Sequence, residues 1–518
     1  MINRISSVEN SKYTPNRDVK HQPAFKGVGD VLLRGIQLCE EMPMVNVSVL
    51  DLSTAIIPRT IIETKESNAY AGMEAFRRES SGLIVNCLLP SFIVMGMAAL
   101  LQKTGLFKDI KGMSNVWANE ESLKIVQKYL QNAEGKGSIK LEHALKSFVN
   151  DLSGIDGNTK KAFKDFDLQS GIKAAAKSSR LKNGKKLFNR GYAEIAGKTH
   201  MTEHLELNGK VLSKNLKGFM EDFVYVHKAV EKNGIKTAEE FSKFINKSVK
   251  LVNWKSFAGL GVILPLAISM QPLNRWLTAR HSGVKGAPIY KDFAQNKDNR
   301  ELSSNEKAAL LKQKFISVGS MLAVMLMSMG FKLPNKQMLQ FKGIFPTMDQ
   351  ARFISTATFA SRMMASEDKN ELREATIRDI ATFSSLYFLG DYAAKGVATL
   401  IEKVRPDVKL LNRLKETPKD ANAMKKFLHW VKDVSLKSSD EVAGKTAKNF
   451  RSVCQLGNLA FSLLALGIFI PLYTRTQTNK KREAELKKLA ESVSSTNGFL
   501  KDQIKNNSPA FKSFFSLQ

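Results

Sequence analysis

Cysteine is almost absent: Cys39, Cys87 and Cys454 are the only three in 518 residues. Thiols so far apart form neither a disulfide framework nor a zinc pattern, and buried reduced side chains are the simpler expectation. A cleavable leader is missing too. The first 25 residues are polar and carry no apolar stretch of signal-peptide type, so any membrane insertion would fall to internal segments. No convincing alternation of strand type appears between residues 103 and 255, which leaves helices as the building element there.

Catalytic signatures are equally scarce. Gly197-Lys198-Thr199 and Gly444-Lys445-Thr446 look like ends of phosphate-binding loops. Such a loop needs a glycine with four residues between it and the Gly-Lys pair. Gly191 stands one position too far away, and Ser439 occupies the place in the second stretch. Neither follows an apolar strand, so both are rejected. His200-Met-Thr-Glu203-His204 does match the HxxEH of inverted zinc peptidases, where histidines at i and i+4 share a helix face. A catalytic zinc needs a third protein ligand, and the neighbouring sequence is lysine-rich with no evident donor. A polar helix with two exposed histidines is the favoured reading, so no catalytic, cofactor or metal residue is assigned. The chain is read as more in keeping with a non-enzyme.

What the sequence has in excess is positive charge: 79 Lys and Arg against 49 Asp and Glu, a formal +30. That balance attracts anionic lipid, acidic proteins or nucleic acid without specifying a fold. The charge is spread along the chain instead of gathered on one module, and no helix-turn-helix or RNA-binding signature accompanies it, which argues against nucleic acid. The length calls for two or more structural regions.

Apolar residues are concentrated in four windows free of charge: 80–102, then the stretches between Lys255 and Arg275, between Lys314 and Lys332, and between Arg451 and Arg475. Each approaches the roughly 17–25 residues that a helix needs to cross a bilayer. They show almost no polar stripe, unlike surface helices of soluble bundles. Pro90, Pro265 and Pro471 lie inside them, which membrane helices tolerate when neighbours satisfy the freed carbonyls. A fifth block, 380–401, is ambiguous because Asp391 and Lys395 sit four apart and could pair along one face; an interfacial or bundle-packed position is favoured over a crossing. Gly259–Leu266 (GLGVILPL) also matches Ala465–Leu472 (ALGIFIPL), the trace a duplicated membrane unit would leave, although apolar segments draw on few residue types.

These features divide the chain into a polar tail (1–27), a region 28–102 ending in hydrophobic helix 80–102, and a basic helical soluble domain (103–255). A hydrophobic helical pair joined by a basic loop (256–332) and a basic helical region (333–451) follow. Hydrophobic helix 452–474 and a basic tail (475–518) complete it. The expected fold is an all-α, multi-pass helical membrane protein with about four hydrophobic helices. The expected function is that of a scaffold or organiser contacting anionic lipid or an acidic partner, with Arg475, Lys480, Lys481 and Arg482 as headgroup contacts. The alternatives are a transporter or channel using the Pro-interrupted helices and Asp391/Lys395, and a zinc metallopeptidase at 200–204. Lysines and arginines crowd both ends of the windows, so the positive-inside count assigns no orientation.

Overall fold

The computed structural model describes residues 36, 39, 43–113, 117–153, 205–214, 216–290, 293, 303–331, 335–343, 345–413, 422–437, 442 and 445–494. The 1–27 tail, the His200–His204 motif and residues 495–518 lie outside them. The described residues are overwhelmingly helical, as the sequence leads one to expect. Helices α1 (Met44–Glu66) and α2 (Ala69–Lys103) open the chain. A small unit follows, made of α3 (Glu120–Asn132), α4 (Gly137–Asp151), the short antiparallel strands β1 (Leu152–Ser153), β2 (Glu206–Leu207) and β3 (Lys210–Val211), and α5 (Leu216–Lys232). Then come α6 (Ala238–Ser282), α7 (Ser304–Ser328), α8 (Met348–Met364) and α9 (Lys369–Ser384). The last of these passes through a π turn, Ser385–Leu389, into α10 (Gly390–Val404). Strand β4 (Leu411–Arg413), α11 (Ala423–Asp433), β5 (Val434–Leu436) and α12 (Thr446–Lys488) complete the order.

Among the described residues, five helices are long and apolar enough to cross a membrane: α1, α2, α6, α7 and α12. Three contain windows read from sequence, and α7 covers all of the third window but residues 329–331. The fifth, α1, is not among those windows, because Asp51, Arg59 and Glu63 break its apolar run. The 380–401 block lies along α9 and α10 and is not one of the five.

Helix ends follow local chemistry. Ser303 caps α7 through the Glu306 amide while the Glu306 carboxylate accepts from the Ser303 amide, which satisfies donors the helix itself leaves free. Thr237 and Glu240 do the same for α6, and Gly283 ends that helix in the left-handed region that favours glycine. Pro58, Pro90 and Pro471 each stand one residue past the start of the α segment that follows a π turn. The widened turn gives room for the proline ring, so the helices run on.

The described residues between Phe107 and Val252 share one apolar core, with Phe148, Phe219 and Phe223 at its centre. Phe148→Ala should lower stability by about 3–5 kcal/mol, whereas Ile139→Ala, at an exposed position, should change it by less than about 0.5 kcal/mol. Thermal unfolding of the purified chain compares the two, and equal shifts would contradict the assigned core.

The remaining helices form two matching halves. The second helices superpose in sequence at a spacing of 300: Asn68 and Asp368 cap them, followed by Glu74 and Glu374, Arg78 and Arg378, Glu79 and Asp379. Both then contain a π turn, at Ile84–Leu88 and Ser385–Leu389. The first helices share Ser53-Thr-Ala and Ser355-Thr-Ala, with Arg59 and Arg362 beyond them. In the third helices Pro272-Leu-Asn-Arg275-x-x-Thr278 answers Pro471-Leu-Tyr-Thr-Arg475-x-x-Thr478. Packing matches as well. A Cβ on Gly259 would stand 2.4 Å from Val94 of its own half, and one on Gly457 2.7 Å from Val397 of the other. The matching glycines are therefore 259 and 457, whereas the sequence similarity alone aligns Gly259 with Ala465. The third helix of each half packs on the first helix of the other: α6 on α8, and α12 on α1.

Both halves point the same way. Asn68 donates to the Pro288 and Tyr290 carbonyls, and the Tyr290 hydroxyl donates to Asp368, so the strap 288–290 touches the 67–68 and 365–368 turns together. This is the turn end of the bundle. The connections 104–237 and 405–444 leave from the opposite, insert end.

Candidate functional site: the seam between the halves and its flanking cavities

The polarity of the bundle is inverted relative to a water-soluble one. Only 17–39 % of the residues in the apolar windows of the five long helices are buried. Phe92, Phe257, Phe315 and Phe469 face outward, while charged side chains are packed inside. Arg59 meets Glu79 at 3.2 Å, and its counterpart Arg362 meets Asp379 at 2.6 Å. Arg275 meets Glu74 at 3.2 Å, and its counterpart Arg475 meets Glu374 at 3.5 Å. Contacts across the halves tie these pairs together. Arg362 lies 3.7 Å from Glu79, and Arg378 lies 3.8 Å from Glu63. Arg475 also pairs with Glu63, and Arg275 with Glu371. With Arg78 included, six arginines face six carboxylates, so the seam is charge-balanced. Among the described residues Arg59 Nε, Arg362 Nε and Asp379 Oδ2 are buried without a hydrogen-bond partner, which marks the network as costly for its size.

Two larger hollows flank the seam. At the insert end a cavity of about 490 Å³ is lined by Asn46 of the first half and by Arg352, Asp391, Lys395, Arg451 and Gln455 of the second. Asp391 and Lys395 both line it, yet they make no ion pair with each other. The Lys395 ammonium instead donates to the Trp430 carbonyl and lies 4.3 Å from the indole ring centre. Asp391 is exposed. A small cavity of about 20 Å³, with Asp51, Glu79 and Arg362 in its wall, lies between this one and the seam and shares Val47, Leu386 and Tyr387 with it. At the turn end an open groove of about 650 Å³ runs between α7, α9 and α12, with Lys369, Arg373, Lys481 and Lys488 on its rim and Ile316, Leu372 and Ile377 below.

The four arginines and lysines expected to meet headgroups divide accordingly. Lys481 lines the groove and Lys480 is exposed beside it. Arg482 stacks on Tyr290 at 4.9 Å. Arg475 is a correction: it is 2 % exposed and bound to Glu63 and Glu374, so it faces the protein and not a lipid. The HxxEH residues lie outside the described residues, and among those described no group of His, Cys, Asp and Glu could hold a metal. Most seam residues escaped sequence reasoning because each is an ordinary charge at a window's edge. The spacing of 300 between Glu74-x-x-x-Arg-Glu and Glu374-x-x-x-Arg-Asp is the signal that would have found them. No family model matches the chain, nor does any curated protein or solved structure.

Proposed function

We propose that the chain is a multi-pass integral membrane protein that holds anionic lipid headgroups in the basic groove at its turn end, acting as a membrane organiser. The inverted polarity carries this reading: long helices expose apolar faces that water would not tolerate and bury charges that lipid would not. Trp254 and Trp276 of α6 support it. They are 60 % and 54 % exposed and 22 residues apart. At 1.5 Å per residue that is about 33 Å, the separation of the two interfacial belts where tryptophan collects. Helix α11 fits the same frame, since it exposes Met424, Phe427 and Leu428 beside Lys425 and Lys426, as a helix lying in an interface does. In the groove, cations stand above apolar side chains, the order of headgroup and acyl chain.

Two measurements test this. The chain should stay with the membrane pellet in alkaline carbonate and in high salt; release without detergent would sink the membrane reading. In detergent micelles, short-chain phosphatidylglycerol should bind in preference to phosphatidylcholine. Arg373→Gln and Lys481→Gln should each weaken that binding about fivefold, at about 1 kcal/mol per surface cation. Equal binding of the two lipids would remove the groove from the proposal.

The duplicated halves favour a second reading, a transporter. Units related as these are commonly hold their substrate site at the repeat interface, and the 490 Å³ cavity draws on both halves. Solute flux in proteoliposomes is its test.

A further inference from the structure

From the wall of the insert-end cavity we infer that it binds a small organic anion, a carboxylate or phosphate on a compact apolar body. Two guanidinium groups offer it unpaired donors. Arg451 is 7 % exposed, and its Nε donates to the Lys437 carbonyl at 2.6 Å, but its Nη1 is buried with no hydrogen-bond partner. Arg352 uses Nη1 on Asp349 and Nη2 on the Tyr387 carbonyl, and its Nε is likewise buried and unpartnered. Buried N–H groups of a fixed cation are seldom left unpaired, because desolvation penalises them. Both residues line the same hollow. Those N–H groups are themselves buried, so an oxyanion in the hollow would satisfy them once each guanidinium turns towards it, and arginine forks suit its geometry.

The charge count agrees. Arg352, Lys395 and Arg451 stand in the wall against the acid Asp391, and Asp349 pairs with Arg352 from beside it, which leaves an excess of one positive charge. Phe388, Tyr392 and Val434 supply apolar wall for the body of the solute. The volume, about 490 Å³, lies in the usual range for small-molecule sites. Asp391 is the one acid in the wall itself, so the sign of its effect separates ligand classes. For an anion its removal helps; for a cation or a zwitterion that uses it as counter-charge, removal hurts.

The inference deepens the transporter reading but is tested by binding alone, in micelles, so that failed flux and failed binding are distinguishable. Wild-type protein, Asp391→Asn, Lys395→Gln and Arg451→Gln would be titrated with inorganic phosphate and with phenyl phosphate. Heat of binding and tryptophan fluorescence would be followed, since Trp430 lies against Lys395. Saturable binding is expected, tighter for phenyl phosphate, weakened about tenfold by Arg451→Gln or Lys395→Gln and strengthened by Asp391→Asn. Asp391 is exposed, so its isosteric variant keeps the test alive if Arg451→Gln does not fold. No binding to the wild type, binding indifferent to these substitutions, or binding lost in Asp391→Asn would each overturn the inference.

Discussion

Glu79→Gln should destabilise the folded chain by about 3–5 kcal/mol, a large part of the stability of an ordinary domain. Glu79 stands within ion-pair distance of Arg59, Arg78 and Arg362, two arginines from its own half and one from the other. Glutamine preserves the shape and removes the charge, leaving three buried guanidinium groups to share the carboxylates that remain. Asp379, its counterpart, still faces Arg362 and Arg378, but Arg59 would keep only the Thr382 hydroxyl among its close contacts. The measurement is the fraction of monodisperse protein recovered after detergent extraction, with the midpoint of thermal unfolding. Arg59→Met combined with Glu79→Gln should recover much of the loss, because removing both charges spares the cost of an orphan. A double variant as damaged as the single one would contradict the pairing.

That network shows where sequence reasoning stopped. The apolar windows were legible because their length and lack of charge are set by one-dimensional composition. Helix starts such as Ser303-x-x-Glu306 were legible because capping is local. The seam was not, since its arginines and acids lie in stretches that differ little from any solvated helix face. Only the fold shows that Arg59 and Thr382, 323 residues apart, touch at 2.5 Å. The pairing of Asp391 with Lys395 failed for a related reason. Helical spacing puts the two within reach, but the nearby Trp430 carbonyl and ring satisfy the ammonium better than an acid open to a cavity. Helix α1 is hidden in the sequence for the same cause that makes it interesting: Arg59 and Glu63, which would disqualify a lipid-facing span, turn inward.

The duplication carries a prediction about which turns and loops share a side, a matter the count of basic residues leaves open. On the proposed membrane reading, with the halves parallel and α7 running from turn end to insert end, seven helical segments would cross: the five long apolar helices α1, α2, α6, α7 and α12, and with them α8 and the continuous α9–α10, which are not among those five. The Lys314 ammonium reaches the Met364 carbonyl at 2.8 Å near the turn end, whereas Ser328 lines the insert-end cavity, which fixes the direction of α7. An odd connecting helix between two three-helix units is what returns the chain to its starting side, so that both units enter alike. Cysteine placed singly at Ser67, Lys285, Glu367 or Lys480, in a variant lacking Cys39, Cys87 and Cys454, should then react with an impermeant maleimide from one face of sealed vesicles. Cysteine at Lys111, Lys210 or Asp407 should react only from the other. The contrast is all-or-none, since a charged reagent does not cross the bilayer. Labelling of positions 67 and 367 from opposite faces would make the halves inverted instead of parallel. It would also be incompatible with the strap in which Tyr290 bonds both Asn68 and Asp368.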